Sequence, residues 1–198
     1  MKIIYIILLV MPTMVNGQKS ISYKEGLDNC QRIIEENKRT SPDTFIYIGP
    51  DCLIGAKVPE FSATTIDGKE ISEGYFIGKI TILNFWFLSC PPCLAETPGF
   101  NKVIDKFGHE KLNYLAISRD DEKDIRHYLE NNFWGFSQIA SGMDITLNVF
   151  KARWGYPTTF VINENGVIIA AFSGGRSDES AAKELEDELS GIISEALK

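Results

Sequence analysis

NFWFLSCPPCLAETP, residues 84–98, sets two cysteines, Cys90 and Cys93, at the end of an apolar run with only Pro91 and Pro92 between them. The run begins at Lys79, in KITILNFWFL (79–88), and is apolar, β-branched and aromatic almost throughout. Such a run suits a strand buried on both faces. A helix is expected to follow from Pro92 to Phe107, because proline is tolerated in a first helical turn. Cys90 then sits where a buried strand ends and a helix begins. In open α/β sheets, reactive groups gather at that end. Unpaired amides and the positive end of the helix dipole would face its sulfur and lower its pKa. Cys93 lies one turn further along, within reach of a disulfide.

Other uses of the pair fit less well. A structural zinc site needs four ligands. The remaining cysteines, Cys30 and Cys52, do not form a second such pair, and His109 and His127 are lone histidines expected on solvated surface. No metal or cofactor is expected. A purely structural bridge across two residues would close a very small loop and remove little chain entropy. Redox chemistry is the reading that remains.

The rest of the chain supplies a frame. It has 198 residues, 44% apolar and 24% charged, which suits one globular domain with an extension. Its formal net charge of -7 argues against nucleic acid as the main partner and against docking on anionic lipid by charge. Four cysteines are too few for a disulfide scaffold. MKIIYIILLVMPTMVNG (1–17) has one Lys2, an apolar middle and small polar residues, the pattern of a secretory signal with cleavage expected after Gly17. The apolar part is shorter than the roughly 20 residues that span a bilayer and contains Pro12, so a membrane anchor is the lesser reading. Export to the periplasm or cell envelope follows, where disulfides persist.

Residues 18–56 read as an N-terminal extension carrying Cys30 and Cys52. SYKEGLDNCQRIIEENKR (22–39) places Leu27, Cys30, Ile33 and Ile34 at helical spacing, and SPDTFIYIGPDCLIG (41–55) holds a short apolar alternation between prolines. In an exported chain Cys30 and Cys52 are expected to pair, with two free buried thiols as the alternative. From residue 57 the pattern is regular. FSATTIDGKEIS (61–72) is a hairpin around Asp67-Gly68. KLNYLAISRD (111–120) and FSQIA (136–140) read as strands. DDEKDIRHYLENN (120–132) reads as a helix capped by Asp120, and DITLNVFKARW (144–154) as another helix. TTFVIN (158–163) and GVIIAAFSG (166–174) are strands joined at Glu164-Asn165-Gly166. SDESAAKELEDELSGIISEALK (177–198) closes with an amphipathic helix whose apolar side is Leu185, Leu189, Ile192, Ile193 and Leu197. Strands alternating with helices and ending in a hairpin predict an α/β sandwich with a mixed sheet.

LNFWFLSCPPCLAETP (83–98), followed by WGYPTTFVINENGVI (154–168), resembles the thioredoxin superfamily, and most of all its secreted TlpA/ResA-type thiol–disulfide oxidoreductases. The opening hairpin matches that group too, and the resemblance covers residues 57–198. It implies a thioredoxin-like three-layer sandwich. It implies Cys90 as attacking thiol, Cys93 as buried resolving thiol and Pro157 as a cis-proline facing the disulfide. Tyr156 would then offer its backbone to an extended substrate, beside Trp86, Pro91 and Pro92. Filling the core is an equal reading of Trp86. Thioredoxin itself has a buried aspartate six residues before the first cysteine; here that position is Asn84, which cannot take a proton. Ser89 stands where thioredoxin has tryptophan. Glu96, three residues after Cys93, matches ResA-like proteins and would accept the Cys93 proton; a surface glutamate is the plainer reading. The resemblance implies partners among exported protein thiols and disulfides, a membrane thiol donor for re-reduction, and the reductant direction, with cytochrome c maturation as one setting.

Two rivals stand beside it. An AhpC/TSA-type peroxiredoxin would need Pro-x-x-x-Thr-x-x-Cys, and Asn84–Ser89 contain neither Pro nor Thr. A non-catalytic envelope binding module would leave the cysteine pair without a purpose.

Overall fold

The computed structural model describes residues 20–198 apart from 42, 45 and 46. The expected signal segment, 1–17, and part of the 41–55 alternation lie outside the described residues.

The central strand is β3, Ile80–Trp86, and every one of its residues is buried. Five of its seven residues are apolar, which suits a place enclosed on both faces; the exceptions are Thr81 and Asn84, each buried with a side-chain oxygen unpaired among the described residues. It pairs in parallel with β4 (Leu112–Ser118), which pairs in parallel with β5 (Ser137–Ile139). On its other side it runs antiparallel to β6 (Thr158–Ile162), which pairs antiparallel with β7 (Ile168–Ser173). The sheet order is therefore β5-β4-β3-β6-β7, a mixed sheet with parallel strands on one side. A separate hairpin, β1 (Ala63–Thr64) with β2 (Glu70–Ile71), precedes it.

Alternation along the strands sorts the core into two layers. Ile82 and Trp86 of β3, Tyr114 and Ala116 of β4 and Val161 of β6 face α2 (Pro91–Phe107) and α4 (Ala181–Ala196). Ile125 of α3 (Glu122–Leu129) joins this layer. α2 and α4 meet so closely that a Cβ on Gly99 would strike the carbonyl of Ala182. Leu83 and Phe85, Leu115 and Ile117, and Phe160 and Ile162 face the opposite layer.

That second layer is closed by the extension. α1 (Tyr23–Thr40) starts with a reciprocal cap in which Glu25 N donates to Ser22 Oγ and Ser22 N to Glu25 Oε2. Tyr23 donates to the Phe150 carbonyl at 2.7 Å. Gly55 N donates to Ile168 O, and Ile168 N to Ala56 O, so the extension covers part of the β7 edge. Gly26 allows this approach, since a Cβ there would lie 2.9 Å from Ala56 Cβ. Cys30 and Cys52 form a disulfide in this layer.

Three expectations need correction. The helix expected over 144–154 is a short π-type turn, Ile145–Val149; the chain leaves it at Phe150 and turns through Lys151 at φ 50°. α3 is capped by Asp121, whose carboxylate accepts from Asp124 N, and not by Asp120. Ile33 sits on α1 where expected but is 40% exposed, and Leu197 falls just beyond the end of α4 and is 37% exposed.

The Cys30–Cys52 bridge spans a sequence separation of 22. Chain-entropy reasoning assigns such a loop about 3 kcal/mol. Replacing both cysteines by alanine is expected to lower the unfolding free energy by about that much in a urea titration; an unchanged midpoint would show that the bridge does not hold the extension.

Candidate active site

Trp86 ends β3 fully buried, with Nε1 donating to Gln138 Oε1 at 3.1 Å. The chain then rises through Phe87, Leu88 and Ser89, which are progressively more exposed. Asp120 holds this segment. Its Oδ2 accepts from Leu88 N at 2.7 Å and from Ser118 Oγ at 2.8 Å, fastening the loop before the cysteines to the end of β4.

Cys90 is the N-cap of α2, with Cys90 N donating to Phe87 O and Sγ accepting from Cys93 N at 3.3 Å. Pro91 and Pro92 fill the first turn, where amide hydrogens have no helical partner. The two sulfurs are joined in a disulfide with Cα atoms 5.3 Å apart; both residues are almost wholly buried. On reduction, a thiolate at Cys90 would lie at the positive end of α2 and be favoured there.

Three further residues, Tyr156, Pro157 and Glu96, lie at the same end of the sheet. The Tyr156-Pro157 peptide is cis and leads into β6 on the face toward α2. The Tyr156 ring meets the Phe87 ring edge-on at 5.1 Å. Glu96, one turn beyond Cys93, is 5% exposed. Its Oε2 has no hydrogen-bond partner among the described residues, and neither does the buried Oδ1 of Asn84, whose amide donates to Thr159 Oγ1 at 3.0 Å. Burial without a donor disfavours the carboxylate and, with a smaller repulsion from Glu188 on α4, pushes the Glu96 carboxyl up to about 8.

Glu96 reaches this place because Gly175 lacks a side chain. A Cβ at Gly175 would collide with Glu96 Oε1 and lie 3.3 Å from Pro157 Cγ. Gly175 thus lets the segment between β7 and α4 close over the carboxyl and the proline together.

Of the residues singled out in the sequence, Cys90, Cys93, Glu96, Tyr156 and Pro157 come together at the top of β3 and α2. Pro91 is exposed and Pro92 half-buried beside them. Trp86 is corrected: it has no exposed surface to offer a substrate, and packs edge-on against Trp134 at 4.7 Å. Cys30 and Cys52 lie in the layer across the sheet, away from the pair. Sequence reasoning missed Gly175 and the clasp by Asp120. The Gly174-Gly175 pair is visible in the sequence, but its approach to Glu96 depends on the sheet.

The titration of Glu96 leaves a mark on stability. Between its ordinary value of 4.5 and about 8, the folded chain keeps a proton that the unfolded chain has released. Stability contributed by this group therefore falls as pH rises across that window, by up to about 1.4 kcal/mol per pH unit. Glu96→Gln should remove that slope in denaturant titrations at several pH values. Gly175→Ala should displace the carboxyl toward water and lower its titration midpoint by NMR; an unmoved midpoint would show that the close approach does not matter.

Comparison with known proteins follows the same geometry. The model of the AhpC/TSA family matches residues 54–171. The thiol-disulfide oxidoreductase ResA of Geobacillus kaustophilus is 28% identical over 134 residues, 67% of this chain and 76% of that protein. The thioredoxin-like protein YneN of Bacillus subtilis is 31% identical over 120 residues, 58% of this chain and 68% of that one. The thioredoxin domain of a thiol-disulfide oxidoreductase from Bacteroides vulgatus superposes with a TM-score of 0.58 at 22% identity, over 71% of this chain and 97% of that chain, a likeness of fold. Relatives of this kind do not favour the peroxide-reducing reading. A thioredoxin-like sheet, a cysteine pair capping its first central helix and these relatives agree: the chain belongs to the AhpC/TSA family and is a thiol–disulfide oxidoreductase.

Proposed function

We propose that Cys90 and Cys93 are the redox-active pair and that the protein works as a reductant of disulfides in exported partner proteins. The Cys90 thiolate attacks one sulfur of the partner's disulfide; that S–S bond breaks, and the partner's other sulfur leaves as a thiolate. Cys93 gives its proton to Glu96 and attacks Cys90 Sγ, releasing the partner's second thiol. The partner gains two electrons and the Cys90–Cys93 dithiol becomes the disulfide. A thiol donor, held in the membrane in this reading, then restores the dithiol. The partner chain lies along the Tyr156-Pro157 segment in extended form.

The observation that carries this reading is Glu96, a buried carboxyl one turn after Cys93 that titrates near 8. A base is most useful when its pKa lies near the working pH. Its apolar surroundings at Gly175 and Pro157 give it no other partner among the described residues. Export is part of the proposal and rests on the composition of residues 1–17; among the described residues no helix is long and apolar enough to cross a membrane. The ResA relatives are named thiol-disulfide oxidoreductases, which supports exchange at the pair and leaves its direction to the reduction potential.

Cys90→Ser is expected to abolish reduction of insulin disulfides in a turbidity assay, and retained activity would remove the assignment. Glu96→Gln should slow the resolving step by about 10²-fold and erase a rise of its rate with pH centred near 8, read from decay of a trapped mixed disulfide. The direction is decided by the reduction potential: a value near about -270 mV fits a reductant, one near about -120 mV an oxidant.

A further inference from the structure

Arg119 stands at the end of β4, directly before the Asp120 that clasps the cysteine loop. Its guanidinium carbon lies 3.6 Å from the centroid of the Phe87 ring. Phe87 in turn accepts the Cys90 amide through its carbonyl and meets Tyr156 edge-on. An arginine is therefore stacked on the aromatic wall that joins the cysteine loop to the residue before Pro157. Its charge is felt at the Tyr156 hydroxyl.

This cation is free to bind. Arg126 and Arg176 are each ion-paired with carboxylates. Arg119 has neither an ion pair nor a hydrogen bond among the described residues, although the chain carries a net charge of -7. The nearest acid in sequence, Asp120, already spends Oδ2 on Leu88 N and Ser118 Oγ. Arg119 is exposed, so a guanidinium resting on the Phe87 ring keeps N–H groups open to solvent, and its planar fork suits a carboxylate. The ring beneath restricts the guanidinium before a partner arrives, so less side-chain entropy is left to lose on binding.

We propose that Arg119 is a specificity-determining residue that binds an acidic side chain next to the cysteine under attack, so that the preferred partners carry Asp or Glu beside their disulfide. The proposal rests on the reading of Cys90 as the attacking thiol and names the substrate class of that site. As Cys90 Sγ forms its bond to the partner's sulfur and the partner's S–S bond breaks, the neighbouring carboxylate accepts from the Arg119 fork over Phe87. Both reducing electrons come from the Cys90–Cys93 dithiol.

The test uses the full mature chain, reduced beforehand and freed of reductant, in single turnover. Its substrates are three short peptides whose cysteine is disulfide-bonded to 2-thiopyridine, a leaving group without a carboxylate. The residue next to the cysteine is Glu, Gln or Lys. The wild-type chain is expected to react about fivefold faster with the Glu than with the Gln peptide and slowest with the Lys peptide, the preference shrinking at high salt. Arg119→Gln should bring the Glu-to-Gln ratio to near one, and Arg119→Lys should keep part of it. Equal wild-type rates on all three peptides would overturn the proposal and leave the oxidoreductase reading intact. So would a uniform fall for all three in Arg119→Gln, which would make the arginine an aid to the Cys90 thiolate alone. Failure of the wild-type chain to react with any peptide would remove the Cys90 reading, and this proposal with it.

Discussion

Everything at the site hangs on β3 being buried on both faces and ending where α2 begins. A strand flanked by β4 and β6 cannot shift its register by one residue without turning Trp86 and Ile82 into the opposite layer. That constraint fixes where the chain emerges, and so fixes Cys90 as the cap of α2. The Asp120 clasp adds the last restraint, tying Leu88 to the end of β4. The sulfur is placed by the end of the neighbouring strand β4 as much as by its own loop.

The same burial that positions the pair shapes its proton chemistry. Position 84, in the strand, is an asparagine that serves Thr159 with its amide and cannot hold a proton. The titratable group is instead Glu96 on the helix, enclosed by Pro157 and by a glycine that leaves it room. Because nothing donates to Glu96 Oε2, the neutral acid is favoured, and the group titrates near 8. A carboxyl with a donor at that point would stay ionised and be a weaker base. The proposed role of Glu96 thus depends on what is withheld from it.

The extension belongs to the other side of the sheet. It fills the layer of Phe85, Phe150 and Phe160 and shields part of the β7 edge. Tyr47 reaches from it to the Trp154 carbonyl at 3.1 Å and to Ser173 Oγ, close to the segment that carries Tyr156 and Pro157. The Cys30–Cys52 bridge closes the loop that contains Tyr47. Its cysteines share no layer with Cys90 and Cys93, which sets a structural bridge apart from the proposed redox one.

The amino-acid order alone determined the strand run of 79–88, the cysteine pair at its end, the hairpin turns and the closing amphipathic helix, because each is a local pattern of period, turn residue or spacing. It pointed to Glu96 and Pro157 only through the resemblance to TlpA/ResA-type proteins, with the i+3 spacing of Glu96 from Cys93 beside it. The tertiary structure decided the rest. Trp86 looked equally suited to surface and core until β5 and Trp134 enclosed it. The helix expected over 144–154 stopped at Phe150, whose ring is drawn into the aromatic layer by Tyr23, Phe61 and Phe85. Asp120 left the helix cap to Asp121 because a loop more than thirty residues earlier offered it an amide. Gly175 and Arg119 gained meaning only from neighbours distant in the chain, Glu96 and Phe87. Contacts of that kind depend on which strands lie side by side, and that order is set by burying both layers at once, not by any stretch read on its own.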